Sequence, residues 1–266
     1  MRFTQIGLLL TAALVASSGG DGAAEDYTQA IAATGVAFEM VWIAEGGFWI
    51  GRHEVTWDEY LLFCDFDGAI GLPKGVDGMT RPSKPLDDVT PFDREWGLGR
   101  RPAVGMSRQA AADYCTWVSR LTGHTYRLPT AAEWELACGP APADLNAHAW
   151  HEGNSDEMTH EVGTKLPNAH GVHDMLGNLW EYLRDPVSPD DPERAVLRGG
   201  SWYEPAAAIA PAARLLFDDD WVLDDPNMPP GRWWVPDGDH LGFRMLRVGE
   251  AQRPAPEQAK EGHNDR

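Results

Sequence analysis

Glycine and proline interrupt this 266-residue chain so often that few stretches can run as regular secondary structure: it holds 28 Gly and 20 Pro. Their share, about 18%, stays below the ~25–30% that marks a disordered chain, so the chain folds, but largely into loops. Loops lack the repeating hydrogen bonds of helices and sheets and need other fastenings. Twelve Trp are available for that, because each indole buries a large area wherever it lands. Between the breaks a few segments keep a period. Phe38, Met40 and Trp42 alternate and Gly46-Gly47 supplies a turn, which predicts a strand pair over Phe38–Gly51. Thr56 and Glu59 form a capping box ahead of a short helix to about Cys64. Asp65–Arg101 is dense in Gly, Pro and Asp and reads as a long packed excursion, the kind of loop that carries function. Ser107 caps a helix in which Ala111, Cys115, Val118 and Leu121 recur at helical spacing, and Gly123 ends it. Tyr126–Pro129 is extended, and a second capping box, Thr130 with Glu133, opens a helix over Ala131–Cys138. Val196–Trp202 and Leu241–Val248 read as strands. The fold class expected is α+β: an irregular, loop-rich single domain with little secondary structure.

Both ends read differently from the middle. Met1–Ala16 has one basic residue, Arg2, before an apolar run from Ile6 to Ala16. That run falls short of the ~20 residues needed to cross a bilayer. With Ser17, Ser18, Gly19 and Gly20 behind it, it has the form of a signal peptide, here residues 1–24 with cleavage between about 16 and 24. The expected location is outside the cytoplasm, in a periplasm, cell envelope or extracellular space, with no membrane span. Residues 249–266 contain no Val, Ile, Leu or aromatic residue and read as a disordered tail, which leaves one domain over 36–248. The chain carries 22 Lys+Arg against 41 Asp+Glu, a net charge of −19. That argues against nucleic acid, whose phosphates need Lys and Arg, and favours cations or basic peptides as partners. Cys64, Cys115 and Cys138 all lie in apolar helical contexts, as buried small hydrophobes do.

Four segments carry a resemblance: Arg101–Leu121 (RPAVGMSRQAAADYCTWVSRL), Tyr126–Cys138 (YRLPTAAEWELAC), Pro167–Tyr182 (PNAHGVHDMLGNLWEY) and Arg198–Trp202 (RGGSW), followed by Gly242-Phe243-Arg244. Together they resemble the formylglycine-generating-enzyme family, the sulfatase-modifying-factor domain, over about Phe38 to Val248. The resemblance implies a variant of the C-type-lectin fold. It also implies structural calcium at the GNLWE turn, with Asn178 and Glu181 as side-chain ligands and Leu176 and Leu179 offering carbonyls. Oxygen donors of this kind suit a hard cation. A second calcium loop would fall within Trp150–Glu161, with no ligands assignable there.

The family's enzymes oxidise the cysteine of a Cys-x-Pro-x-Arg site to formylglycine, using oxygen and copper(I) held by two cysteines. The first of these follows the Ser of GGS by three residues and the second lies five further on. Here the Ser is Ser201 and the two positions are Glu204 and about Ile209, and no Cys follows Cys138. Copper(I) takes soft sulfur ligands, so copper is not expected. Five histidines, His148, His151, His160, His170 and His173, lie near Glu152 and Asp174. An iron site built from them is conceivable, but a loop role is preferred and iron is not expected either.

Three functions remain open. In the first, the family groove binds a peptide or a small cationic ligand without turnover, through Trp202, Glu204, Arg214, Trp233 and Trp234. In the second, the chain is an enzyme with a non-cysteine centre, for which Ser201, Glu204, Arg214 and His240 are candidates, the last three as acid, anion clamp and base. The third is a structural envelope domain.

Overall fold

Gly47, at φ 66°, closes a tight turn in which the N–H groups of Gly46 and Gly47 both reach the Ile43 carbonyl, at 3.2 and 2.9 Å. That turn joins β2 (Ala37–Ile43) to β3 (Phe48–Gly51) as predicted. In this computed structural model the described residues are 24–31, 34–64, 96–188, 191–222, 234–235 and 237–249. The leader, most of the Asp65–Arg101 excursion, Trp233 and the tail beyond Gly249 fall outside them.

The helices start where the sequence reading puts them, because capping is settled within four residues. Glu59 Oε1 accepts from the Thr56 N–H (3.2 Å) and hydroxyl (2.8 Å) at the head of α1 (Trp57–Cys64). Ser107 Oγ accepts from Ala110 N–H at 3.1 Å to open α2 (Arg108–Thr122), and Gly123, left-handed at φ 75°, closes it. Thr130 and Glu133 complete both halves of the capping box of α3 (Ala131–Cys138). A single turn, α4 (Leu145–His148), follows.

The strands depart more from expectation. A strand precedes the predicted domain boundary: β1 (Tyr27–Ala30) pairs antiparallel with β2. The longest strand, β5 (Trp180–Ser188), begins within the GNLWE turn of the sequence reading and pairs with β6 (Asp191–Arg198) through register shifts about Pro186. Proline has no N–H for the ladder, which hides such a strand in the sequence. The strand predicted over Val196–Trp202 ends at Arg198, because Gly199 (φ 102°) and Gly200 (φ 82°) take left-handed conformations. A Cβ on Gly200 would stand 2.7 Å from Ile209 Cγ1. The strand predicted over Leu241–Val248 is two, β8 (Leu241–Gly242) and β9 (Leu246–Arg247), in different sheets.

With β4 (Tyr126–Arg127) and β7 (Arg214–Leu216), the strands form a five-stranded sheet in the order β1-β2-β3-β9-β4 and a four-stranded sheet in the order β7-β6-β5-β8. Every pairing is antiparallel except β5 with β8. Strand β2 packs on both faces. Phe38 and Met40 join an aromatic core with α1 and α2, and Val41 and Ile43 join a second cluster with α3. In the first, Tyr60 is the hub, with Phe63, Tyr114, Trp234 and Phe243 rings centred 5.6–6.0 Å away. The three cysteines are buried, as their apolar contexts suggest.

Candidate functional site

The segment after β6 turns on the two glycines and places Ser201 and Trp202 inside the molecule, 0% and 5% exposed. Glu204 folds back on this turn. Its Oε2 accepts from the Ser201 backbone N–H at 2.8 Å and from the Ser201 hydroxyl. Ile209 packs over Gly200 in the second core cluster, 6% exposed. At the two positions where the resemblance puts copper ligands, one side chain is therefore a turn cap and the other a core residue.

The Trp202 indole donates to Asp239 O at 3.2 Å and meets the Trp96 and Tyr203 rings edge-on at 5.2 and 5.4 Å. Tyr203 is the most exposed of the described large apolar side chains, at 66%. Beside it runs the loop 151–160. Glu152 N–H donates to Glu204 O (3.0 Å), and the Ser155 hydroxyl donates to Trp202 O (2.9 Å). His160 stacks on Trp150 at 3.6 Å while its Nε2 lies 2.8 Å from Ser155 O. A cavity of about 280 Å³ opens between loop and turn, lined by Glu152, Ser155, Glu157, Trp202 and Tyr203.

The other candidates do not converge on this place. His240 rests against the Trp221 ring at 4.9 Å, with Nδ1 3.5 Å from Asp239. Arg214 is exposed on β7, at the edge of its sheet. No hydrogen bond or ion pair joins Glu204, His240 and Arg214 among the described residues, so they do not form the acid, base and clamp that the sequence suggested. Trp234 is 4% exposed and part of the aromatic core, which removes it from any groove wall.

Asn178 and Glu181 occupy a buried polar centre. Gly177 (φ 76°) lies against Trp150; a Cβ there would stand 2.1 Å from the Trp150 carbonyl oxygen. Asn178, itself at φ 57°, accepts from His160 N–H at 3.0 Å through Oδ1 and donates through Nδ2 to Glu54 at 2.6 Å. Glu54 also takes the Leu179 N–H at 3.1 Å. The Glu181 carboxylate accepts from Arg244 Nε at 2.8 Å, from Arg244 Nη2 at 2.6 Å and from the Trp134 indole at 2.8 Å. Arg244 is fully buried and also donates to the carbonyls of Gly51, His173 and Asp174. Burial pushes the Glu54 carboxyl well up, and Asp174 and Glu181 push it further. Burial likewise raises Asp174. Burial works against the Arg244 charge, but the surrounding carboxyls outweigh it.

This arrangement bears on the calcium that the resemblance implies. Both oxygens of Glu181 are taken by N–H donors of a cation and an indole, and Asn178 Oδ1 by a backbone N–H. With their oxygens already engaged by these donors, the side chains named as ligands do not fit a calcium cage. Among the described residues, no group of three or more His, Cys, Asp and Glu side chains is disposed to hold a metal. The clustered histidines have loop partners instead: His148 on Leu166 O, His151 on Asn146, His160 on Ser155 O and His173 on Lys165 O.

Sequence reasoning missed Glu54, Asp174, Glu152, Glu157 and Tyr203 as members of these two clusters. The Glu152 and Tyr203 neighbourhoods come together from segments about fifty residues apart, and no local spacing announces them. Glu54 had one local signal, an acidic residue three positions after the end of β3 and directly before Val55.

Residues 12–222 match the sulfatase-modifying factor enzyme 1-like domain. A stretch of 130 residues is 32% identical to the serine/threonine-protein kinase pkn1 of Chlamydia pneumoniae, covering 41% of this chain and 20% of that protein. A stretch of 132 residues is 30% identical to the inactive C-alpha-formylglycine-generating enzyme 2 of Mus musculus, covering 41% of this chain and 40% of that one. The chain thus spans from a fifth to two fifths of the length of these relatives. Among solved structures, Treponema denticola variable protein 1 superposes with a TM-score of 0.58 at 20% identity, over 84% of this chain and 98% of that one; the likeness is one of fold. With a match that covers most of its length, this chain belongs to the sulfatase-modifying factor enzyme 1-like family.

Proposed function

We propose that this chain is an exported, ligand-binding member of its family that does not oxidise cysteine through copper. The observation that carries the reading is the state of Glu204 and Ile209. A carboxylate locked on Ser201 and an alkyl side chain in the core offer copper(I) no sulfur. Cys115 and Cys138 are no substitute: burial pushes Cys138 up to about 12 and raises Cys115 as well, so neither is a ready thiolate. A relative whose name marks it inactive supports a family that keeps the scaffold without the chemistry. The open cavity beside Trp202, with Tyr203 exposed at its edge, supports binding as the retained role. Export rests on the form of residues 1–24.

The test is direct. The mature protein is incubated with a Cys-x-Pro-x-Arg peptide, oxygen, reductant and copper, and the peptide is weighed by mass spectrometry beside an active family enzyme. The expected result is formylglycine in the control alone. Formylglycine made by this chain would overturn the reading.

A further inference from the structure

We infer that the cavity between the head of α1 and the five-stranded sheet binds a small aliphatic amino acid as its zwitterion, the ammonium on Glu59 and the carboxylate on Arg100. This goes beyond the role proposed above, because the cavity shares no described lining residue with the one beside Trp202. It measures about 190 Å³. Glu59 lines it and is only 7% exposed. Its Oε1 accepts from the Thr56 N–H and hydroxyl, which fixes the carboxylate, while its Oε2 has no hydrogen bond or ion pair among the described residues. A buried carboxylate without a cation is costly, and burial pushes this one up to about 7. Arg100 stands exposed at the rim, and its side chain likewise has no partner among the described residues. Its charge acts on both Glu59 and His53, so it lies near them, yet no ion pair joins it to Glu59.

The gap between an anchored carboxylate and a free guanidinium takes a ligand that carries both charges. An amine alone would satisfy Glu59 but meet the positive charge of Arg100. An acid alone would satisfy Arg100 but meet Glu59 and a chain of net charge −19. A zwitterion makes a charge-assisted pair at each end. Between the two ends the cavity is apolar, walled by the buried Phe38, Val55, Val162 and Met245, which suits an aliphatic side chain. His53 also lines it. Burial and the neighbouring His173 hold its pKa down at about 3, so the imidazole is neutral and adds a hydrogen bond without competing for charge. The volume lies below the ~300–1,000 Å³ of sites for drug-sized ligands, which limits the occupant to something small. The spacing of the two charges is set before any ligand arrives. Trp57 N–H donates to Arg101 O and Asp58 N–H to Gly99 O, both at 3.0 Å, and Val162 N–H donates to Arg100 O at 3.1 Å. The backbone on either side of Arg100 is thereby tied to the first turn of α1, where Glu59 sits. Such pre-organisation lowers the cost of binding.

The probes are alanine, valine and leucine, with isobutylamine and isovalerate as valine lacking its carboxylate and its ammonium respectively. Binding is followed by calorimetry at pH 8, where Glu59 is ionised. At least one of the amino acids is expected to bind, valine more tightly than either analogue by about tenfold or more. Glu59→Gln and Arg100→Gln should each weaken amino-acid binding about tenfold. Glu59→Gln keeps an oxygen for the Thr56 cap and Arg100 is exposed, so circular dichroism should be unchanged in both. No heat from any of the three amino acids at millimolar concentration would overturn the site. Isovalerate that bound as well as valine would overturn it in favour of an anion site on Arg100, and isobutylamine that did so in favour of a cation site on Glu59. Unaltered binding by both variants would place the ligand elsewhere and overturn it too. None of these probes contains a thiol, so the outcome is separate from the oxidation assay. The amino-acid site can fail while the non-oxidising reading stands, and formylglycine in that assay would sink that reading whatever these probes do.

Discussion

The Arg244–Glu181 pair sets the energetics of the interior at the level of single residues. Both side chains are fully buried, and removing one partner strands a charge away from water. Such losses run to about 3–5 kcal/mol, whereas replacing both partners together is far less costly. Arg244→Met and Glu181→Gln should therefore each lower the urea midpoint strongly. The double variant should be more stable than the two single losses added together predict, by about 1 kcal/mol or more. Additive losses in urea titrations would show that the two side chains act separately. The sequence pointed to Arg244 through the GFR motif and to Glu181 through GNLWE, but not to their meeting. The partners are 63 residues apart, and each motif on its own suggested a different job, a metal ligand in the case of Glu181.

The same four-residue pattern, Thr-x-x-Glu, opens α1 and α3, yet the two glutamates titrate in opposite directions. Burial pushes Glu59 up to about 7, with only Thr56 to oppose it at close range. Burial also acts on Glu133, but there Arg127 contributes two hydrogen bonds of 2.7 Å and Thr130 two more, and the carboxyl is held down at about 2. An unfolded glutamate titrates near ~4.3. For Glu59 the folded protein holds the extra proton, so stability falls as pH rises from about 4.3 to about 7 and then levels. Glu59→Gln should flatten that slope and stabilise the protein above about pH 7, on the order of 2–3 kcal/mol. For Glu133 the unfolded chain holds the extra proton, so its contribution is whole above about pH 4.3 and is lost as pH falls toward about 2. Thr130→Ala should cost about 1 kcal/mol at neutral pH through the cap alone. Thermal melts across the acid range check all three; a Glu59→Gln variant with the slope of the parent would refute the assignment to Glu59. Elements such as these were legible because caps and helical period are local. Strand β5 was not, and Leu241–Val248 read as one strand rather than as β8 and β9 in two sheets, since their partners are set by distant segments and Pro186 or the GFR crossing breaks their pattern.

At the scale of the whole molecule, two sheets and two core clusters depend on one another. The chain passes from β8 in one sheet through Arg244 to β9 in the other, and β2 lends residues to both clusters. This interlocking predicts one cooperative unfolding transition, with tryptophan fluorescence and far-ultraviolet dichroism coinciding. The fold class was visible early because glycine, proline and tryptophan frequency constrain the entire chain at once. The cavities were not, because their walls lie on segments that meet only after folding. Net charge adds a property that no single contact has. At −19 the folded chain repels itself, and a solvated surface pair such as Arg52 with Asp26 at 2.9 Å contributes too little to offset that. Salt should then favour the folded state. Raising ionic strength from about 10 mM to about 150 mM shortens the range of charge interactions to roughly 8 Å, which should raise the melting midpoint by a few degrees as self-repulsion is screened. Melting curves along a salt series test the sign. A midpoint that fell with salt would mean that local ion pairs, not net charge, govern stability.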